Sequence, residues 1–241
     1  MLFPQASLPF VSTDYNLEYK AAINNVVTNK HPSVKNLATI DGKKVRVVVY
    51  TANNNYKVGT QKLNQNIFVT IAPELKTHCQ KYVAKNQKNL SAKKLNLWIA
   101  KLLGLPEAGA YKRKLVEIEV PVVQAFYGKS AGTEGIFRPC ADPRIYLHND
   151  GSEICPVSID FLDDNIPKEY REWFAANNKG LTKNNVKYPF TGKGYTYNWN
   201  KDAGSPIGLS EFVVLQNTLV NFIANSSDKK SPYISPIEYC T

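Results

Sequence analysis

Three stretches of this 241-residue chain hold side chains of the kinds that do chemistry. The first runs from Arg138 to Asp150 and contains Arg138, Asp142, Arg144, His148 and Asp150. A histidine flanked by carboxylates is material for general acid–base transfer. Two guanidinium groups can grip a carboxylate or phosphate through paired hydrogen bonds. A small hydrolase would draw on His148, Asp150 and Arg138. The preferred explanation is structural, because a turn-rich loop needs Asp, Asn and Gly for its bends and Arg–Asp pairs for its surface. No residue is therefore assigned a catalytic role. The second stretch is GKGYTYNW, Gly192 to Trp199. In a strand, Tyr195, Tyr197 and Trp199 would share one face. Such a stripe could stack on sugar rings or bases, and Arg144 is a further binding candidate as an anion contact. A sheet's core face has the same pattern. The glycine spacing is GKG, not the GxGxxG that cradles a phosphate. The third is His78-Cys79, a thiol beside an imidazole. Adjacent helical residues point about 100° apart, so the two would not face each other.

No metal or cofactor is expected. The chain has three histidines and no CxxC pair, so zinc spacings are missing. Asp160, Asp163 and Asp164 cluster without the twelve-residue calcium-loop pattern. The four cysteines are Cys79, Cys140, Cys155 and Cys240. Cys140 and Cys155 share a short turn-rich segment and form the natural local pair. Cys79 would then pair with Cys240 and tie the tail to the body of the fold. Two disulfides suit an oxidising compartment. They would also remove the one plausible thiol nucleophile.

Net charge is +10, unevenly spread. Residues 1–130 carry +12 and residues 131–241 carry −2. A basic half can face nucleic acid, an anionic membrane or an acidic partner. Most of its lysines fall singly on polar helix faces or in loops, the pattern of ordinary solvated surface. No run of 18 apolar residues exists, so no membrane-spanning helix is expected. MLFPQASLPF lacks the basic start and apolar stretch of a signal peptide. The expectation is a mature chain, with a cytoplasmic start as the alternative.

The elements that must position these residues read as follows. Ser12 to Val27 forms a helix, ended by His31-Pro32. Leu37 to Ile40 and Val45 to Thr51 form a hairpin around Asp41-Gly42. A loop, Ala52 to Asn66, leads to a strand at Ile67 to Ile71 and then to a helix opened by Pro73. The spacing of Leu95, Trp98, Ile99, Leu102 and Leu103 predicts a helix over Ala92 to Leu103, with Ser91 as its cap and Gly104 and Pro106 as its stop. Leu115 to Tyr127 is a strand with Glu117 and Glu119 on one side, and Pro121 suggests an edge or a bulge. Short strands surround Asn149-Asp150-Gly151. A helix follows from Asn165 to near Gly180. Tyr195 to Trp199 is a strand, and Glu211 to Leu215 with Thr218 to Ile223 is a second hairpin around Gln216-Asn217.

The run YPFTGKGYTYNW (Tyr188 to Trp199), then GLSEFVV (Gly208 to Val214) and a tail ending EYCT, resembles a group of uncharacterised secreted proteins of Gram-negative bacteria. Those carry a YPWTGLGYTYDW-like run. This chain departs from it at Phe190, Lys193 and Asn198, the last of which loses a carboxylate. The resemblance implies export and implies no activity. The expected fold is α+β, a single domain over residues 1–241 with a mainly antiparallel sheet, three or four packed helices and two disulfides. The expected function is that of an exported bacterial, non-enzymatic binding or interaction protein, secreted or periplasmic and monomeric. Its partner would be a protein or a glycan, with nucleic acid ranked below them. The alternatives are the small hydrolase and an electrostatic binder of nucleic acid or anionic membrane through the basic N-terminal half.

Overall fold

The computed structural model describes residues 13–28, 37, 38, 40, 43–122, 135–140, 146–147, 153–154, 168–182 and 189–241. In chain order they form α1 (Thr13–Thr28), β1 (Lys44–Thr51), β2 (Gly59–Lys62), β3 (Ile67–Ile71), α2 (Ala72–Asn86), α3 (Ala92–Leu102), β4 (Lys114–Pro121), β5 (Ile136–Phe137), β6 (Tyr146–Leu147), β7 (Glu153–Ile154), α4 (Lys168–Thr182), β8 (Tyr195–Tyr197), β9 (Ile207–Val214), β10 (Leu219–Phe222), β11 (Tyr233–Ile234) and α5 (Pro236–Cys240). The fold is α+β, with a mainly antiparallel sheet and five α-helices among the described residues, against the three or four expected.

The run VRVVVY explains the centre of the sheet. Its alternate side chains are apolar on both faces, which suits a strand buried on both sides. Accordingly β1 lies between β3 and β4, with Val47 paired to Ile71 on one side and to Ile118 on the other. Val47 and Val49 enter one core cluster, while Val48 and Tyr50 enter another. The expected hairpin with Leu37 to Ile40 does not form. Leu37, Ala38 and Ile40 lie outside any strand, and Asp41-Gly42 falls outside the described residues. A two-faced apolar strand gains more from two flanking ladders than from one local turn.

The expected loop over residues 52–66 contains a strand, β2, which pairs with β10. The expected β9–β10 hairpin is absent. β9 pairs with β3, β5 and β8, while β10 pairs with β2 and β4. Moving from Ile67↔Val214 to Lys62↔Leu219 shifts both strands by five residues, so the register is unbroken. The segments 59–71 and 207–222 therefore make one long ribbon, bent at residues 63–66 and 215–218. At the corner Asn217 takes φ 71°, and Asn66 Oδ1 accepts the Gln216 N–H at 2.7 Å. One half of the ribbon lies against β1 and the other against β4, so the sheet curls on itself. Curling hides edges that would otherwise be open to pairing. Inside the curl lie Val47, Ile67, Val69, Ile118, Phe212 and Phe222, all buried.

Outside the curl, α2, α3 and α5 cover a second core of Val48, Leu75, Leu95, Ile99, Leu115 and Tyr239. Each such fully buried aliphatic side chain contributes about 1.5–3 kcal/mol. Ser91 caps α3 by accepting the Lys94 N–H at 3.3 Å. Gly104, at φ +67°, ends it. β4 is an interior strand, flanked by β1 and by β10 and β11. Pro121 ends it instead of marking an edge, and residues 123–127 of the expected strand lie outside the described residues. β6 and β7 form a separate two-stranded ladder with Tyr146 opposite Ile154. Among the described residues one disulfide joins Cys79 to Cys240, with Cα atoms 5.4 Å apart. The second expected pair, Cys140 with Cys155, has Cys155 outside the described residues, and no described cysteine is a free thiol.

Candidate functional site

The aromatic run of β8 lies in the interior. Tyr195 is 0 % exposed, and Tyr197 and Trp199 are 6 % exposed each. A register shift between Tyr195 and Tyr197 interrupts the simple alternation. Tyr19 of α1 packs edge-on against Trp199 at 5.4 Å between ring centroids and donates its hydroxyl to the Gly104 carbonyl at 3.1 Å. Trp199 donates Nε1–H to the Leu105 carbonyl at 3.1 Å, and Lys101 Nζ lies 4.7 Å from the indole ring. Glu18 receives Lys201 Nζ at 2.7 Å and lies 3.7 Å from that of Lys101. The hydrogen bond from Lys201 holds its carboxyl below the usual carboxylate range. These rings fill a core; in this conformation they present no stacking surface. Asn198 Oδ1 accepts the Asn200 N–H at 3.0 Å, a turn bond that a carboxylate at this position could equally accept.

Arg138 is 6 % exposed. It donates to the carbonyls of Gly194 at 3.2 Å and Ala38 at 2.7 Å, and its guanidinium lies 4.6 Å over the Phe212 ring. The side chain lies so close to Gly194 (φ +74°) that a Cβ there would collide with it. That contact accounts for the second glycine of GKG. The structure thus uses Arg138 to join segments. Arg144, His148 and Asp150 lie outside the described residues, as do Asp160, Asp163 and Asp164. Cys79 is consumed by its disulfide, and His78 is exposed.

Two polar features escape a reading of the sequence. Glu74, in the first turn of α2, accepts the Ser210 N–H and hydroxyl at 3.2 Å, while Ser210 Oγ accepts the Ala38 N–H at 2.7 Å. Burial raises the Glu74 carboxyl's pKa; the Ser210 hydrogen bonds and the charges of His78 and Arg138 oppose this. The hydroxyl is 1 % exposed and engaged on both sides, so it has no path to a substrate. Glu211, opposite Thr70 in the register, has a buried Oε2 with no hydrogen-bond partner. Burial pushes its pKa up to about 8.

The outer face of α2 and α3 is different in kind. Residues 72–114 hold ten of the chain's thirty Lys and Arg residues against two acidic ones, Glu74 and Glu107. Lys76, Lys81, Lys85, Lys88, Lys93, Lys94, Lys112 and Lys114 are exposed, and among the described residues none has a carboxylate within ion-pair distance. Tyr82 and Trp98 stack at 4.4 Å between centroids and clamp the two helices side by side. The Tyr50 hydroxyl bridges Asn96 of α3 and the Ala110 carbonyl, which places Tyr111 and Lys112 beside α3. Among the described residues no group of three metal-ligating side chains forms, and no helix is long and apolar enough to cross a membrane. No protein-family model, curated protein or solved structure matches this chain.

Proposed function

We propose that this chain is an exported, non-enzymatic binding protein whose contact surface is the outer face of α2 and α3. One observation carries the reading. Residues 72–114 hold eight exposed lysines without ion-pair partners among the described residues, five of them on α2 and α3 and a sixth, Lys88, in the turn that joins the two helices. A field of one sign attracts a partner of the other over about a Debye length, roughly 8 Å at physiological salt. The buried polar groups argue in the same direction, since Arg138, Glu74 and Ser210 are committed to internal hydrogen bonds. Export rests on the Cys79–Cys240 disulfide, which suits an oxidising compartment, and on the resemblance to secreted proteins. A Cys140–Cys155 bond is part of this reading, and peptide mapping without reductant tests it. One domain is supported by a single sheet that recruits strands from Lys44 to Ile234.

Retention on immobilised heparin tests the contact surface. The protein should bind at low salt and elute as salt rises. The variant K85E/K88E/K93E/K94E should flow through. Equal retention of both proteins, or none of either, would sink the proposal.

A further inference from the structure

The outer face of the helical pair has a chemistry that narrows its partner. Lys81 and Lys85 stand one helical turn apart, about 6 Å, on one face of α2. Lys88 lies in the connecting turn, and Lys93 and Lys94 open α3. Because Tyr82 stacks on Trp98, the chain doubles back here and these five ammonium groups gather at one end of the pair. The apolar stripes of both helices are spent on the core, where Leu75, Cys79, Leu95 and Ile99 are 0 % exposed. Neither helix keeps an apolar face to sink into lipid, as an interfacial helix must. Next to Ala110, which the Tyr50 hydroxyl joins to Asn96 in α3, Tyr111 is 63 % exposed, with Lys112 Nζ 5.7 Å from its ring centroid. Ammonium groups read phosphate as point charges, without the forked geometry that selects a base edge. An exposed ring beside an ammonium group is a platform on which any base can stack.

From this combination we infer that the end of the helical pair binds single-stranded nucleic acid without sequence preference, its lysines on the phosphates and Tyr111 under a base. This deepens the proposed polyanion-binding surface and rests on it. It also raises nucleic acid from the rank that scattered lysines suggested.

The test is fluorescence anisotropy of a labelled twenty-nucleotide oligothymidine with the full, disulfide-intact chain over a salt series. Each neutralised phosphate on a single strand adds about −0.7 to the slope of log K against log salt, so five contacts give about −3.5. K85E/K88E/K93E/K94E should weaken binding at least a hundredfold and flatten the slope. K57E/K62E/K229E/K230E, with the same change of net charge on exposed sites elsewhere, should change it less than threefold. Tyr111→Phe should bind as wild type does, and Tyr111→Ala about tenfold more weakly. Near-UV circular dichroism checks that each variant is folded. If heparin is retained but Tyr111→Ala binds oligothymidine as wild type does, the nucleic-acid inference falls while the polyanion surface stands. Tighter binding to phosphatidylserine vesicles than to the oligonucleotide at matched charge overturns it too. If neither heparin nor oligonucleotide binds, both readings fall together.

Discussion

The β8 run and the α2–α3 face differ in what surrounds their conspicuous side chains. Tyr197 and Trp199 look like a ligand platform when read along the chain, yet they sit under α1 with their space already filled. The exposed lysines of α2 and α3 look like ordinary surface, yet none of them meets a carboxylate among the described residues. Aromatic alternation marks a strand face and says nothing of whether that face is covered. A lysine every few residues marks a polar helix face and says nothing of which other helix will lie beside it. The contrast has a consequence for mutation: changes in the first region should act on stability, and changes in the second on binding alone.

The sharpest check is Trp199→Ala. It removes a 6 %-exposed ring and its Nε1–H bond, so it should cost about 3–5 kcal/mol in urea unfolding. A loss below about 1 kcal/mol would mean that the ring is more open than described. Next is the Cys79–Cys240 bond, which closes a loop across 161 residues. C79A/C240A should lose about 2–4 kcal/mol, and reductant should lower the wild-type midpoint at least as far.

A smaller effect is expected at Glu211, with a definite sign. Its pKa is raised from the ordinary 4.5 to about 8 in the folded protein. At a pH below both values it is protonated in both states and costs nothing. As pH rises from about 4.5 to about 8, the unfolded chain gives up its proton first and stability falls. Glu211→Gln should flatten that fall and be more stable than wild type at pH 8 by about 1–3 kcal/mol, read from thermal midpoints across pH. A wild-type curve parallel to the variant's would contradict the enclosure of this carboxyl. The smallest change belongs to the lysine face: K85E/K88E/K93E/K94E should alter stability by no more than about 0.5 kcal/mol per site, because the side chains are exposed and make no ion pair among the described residues. A larger loss would show that these lysines also pack.

Local chemistry explains which features were legible. Ser91, the Leu95–Trp98–Ile99–Leu102 stripe and Gly104 determine α3 within fourteen residues. VRVVVY announces a strand for the same reason, though not the two ladders that flank it. The disulfide from Cys79 to Cys240 is legible because the short spacing of Cys140 and Cys155 leaves these two to pair. The bend of the ribbon was not legible, because Gln216-Asn217 supplies positive φ to a hairpin turn and to a corner alike. What separates the two is the register with residues 59–71, nearly 150 positions away. The lysine face was hidden similarly, since it exists only once Tyr82 meets Trp98. Enclosure of Tyr197 and Trp199 depends on α1, which the sequence places almost 180 residues earlier.

The bent ribbon also sets the order in which this protein can come into being. β2 and β3 find their ribbon partners only in residues 207–222, so the curl cannot close until most of the chain has been made. At about 5–20 residues per second, the ribosome holds an unfinished sheet for many seconds. Contacts this remote also make folding slow after release. During that interval the polypeptide remains open and threadable. A chain stopped short of residue 207 would leave β3 and the inner face of β1 without their cover, which is material for a protease rather than a smaller version of the fold.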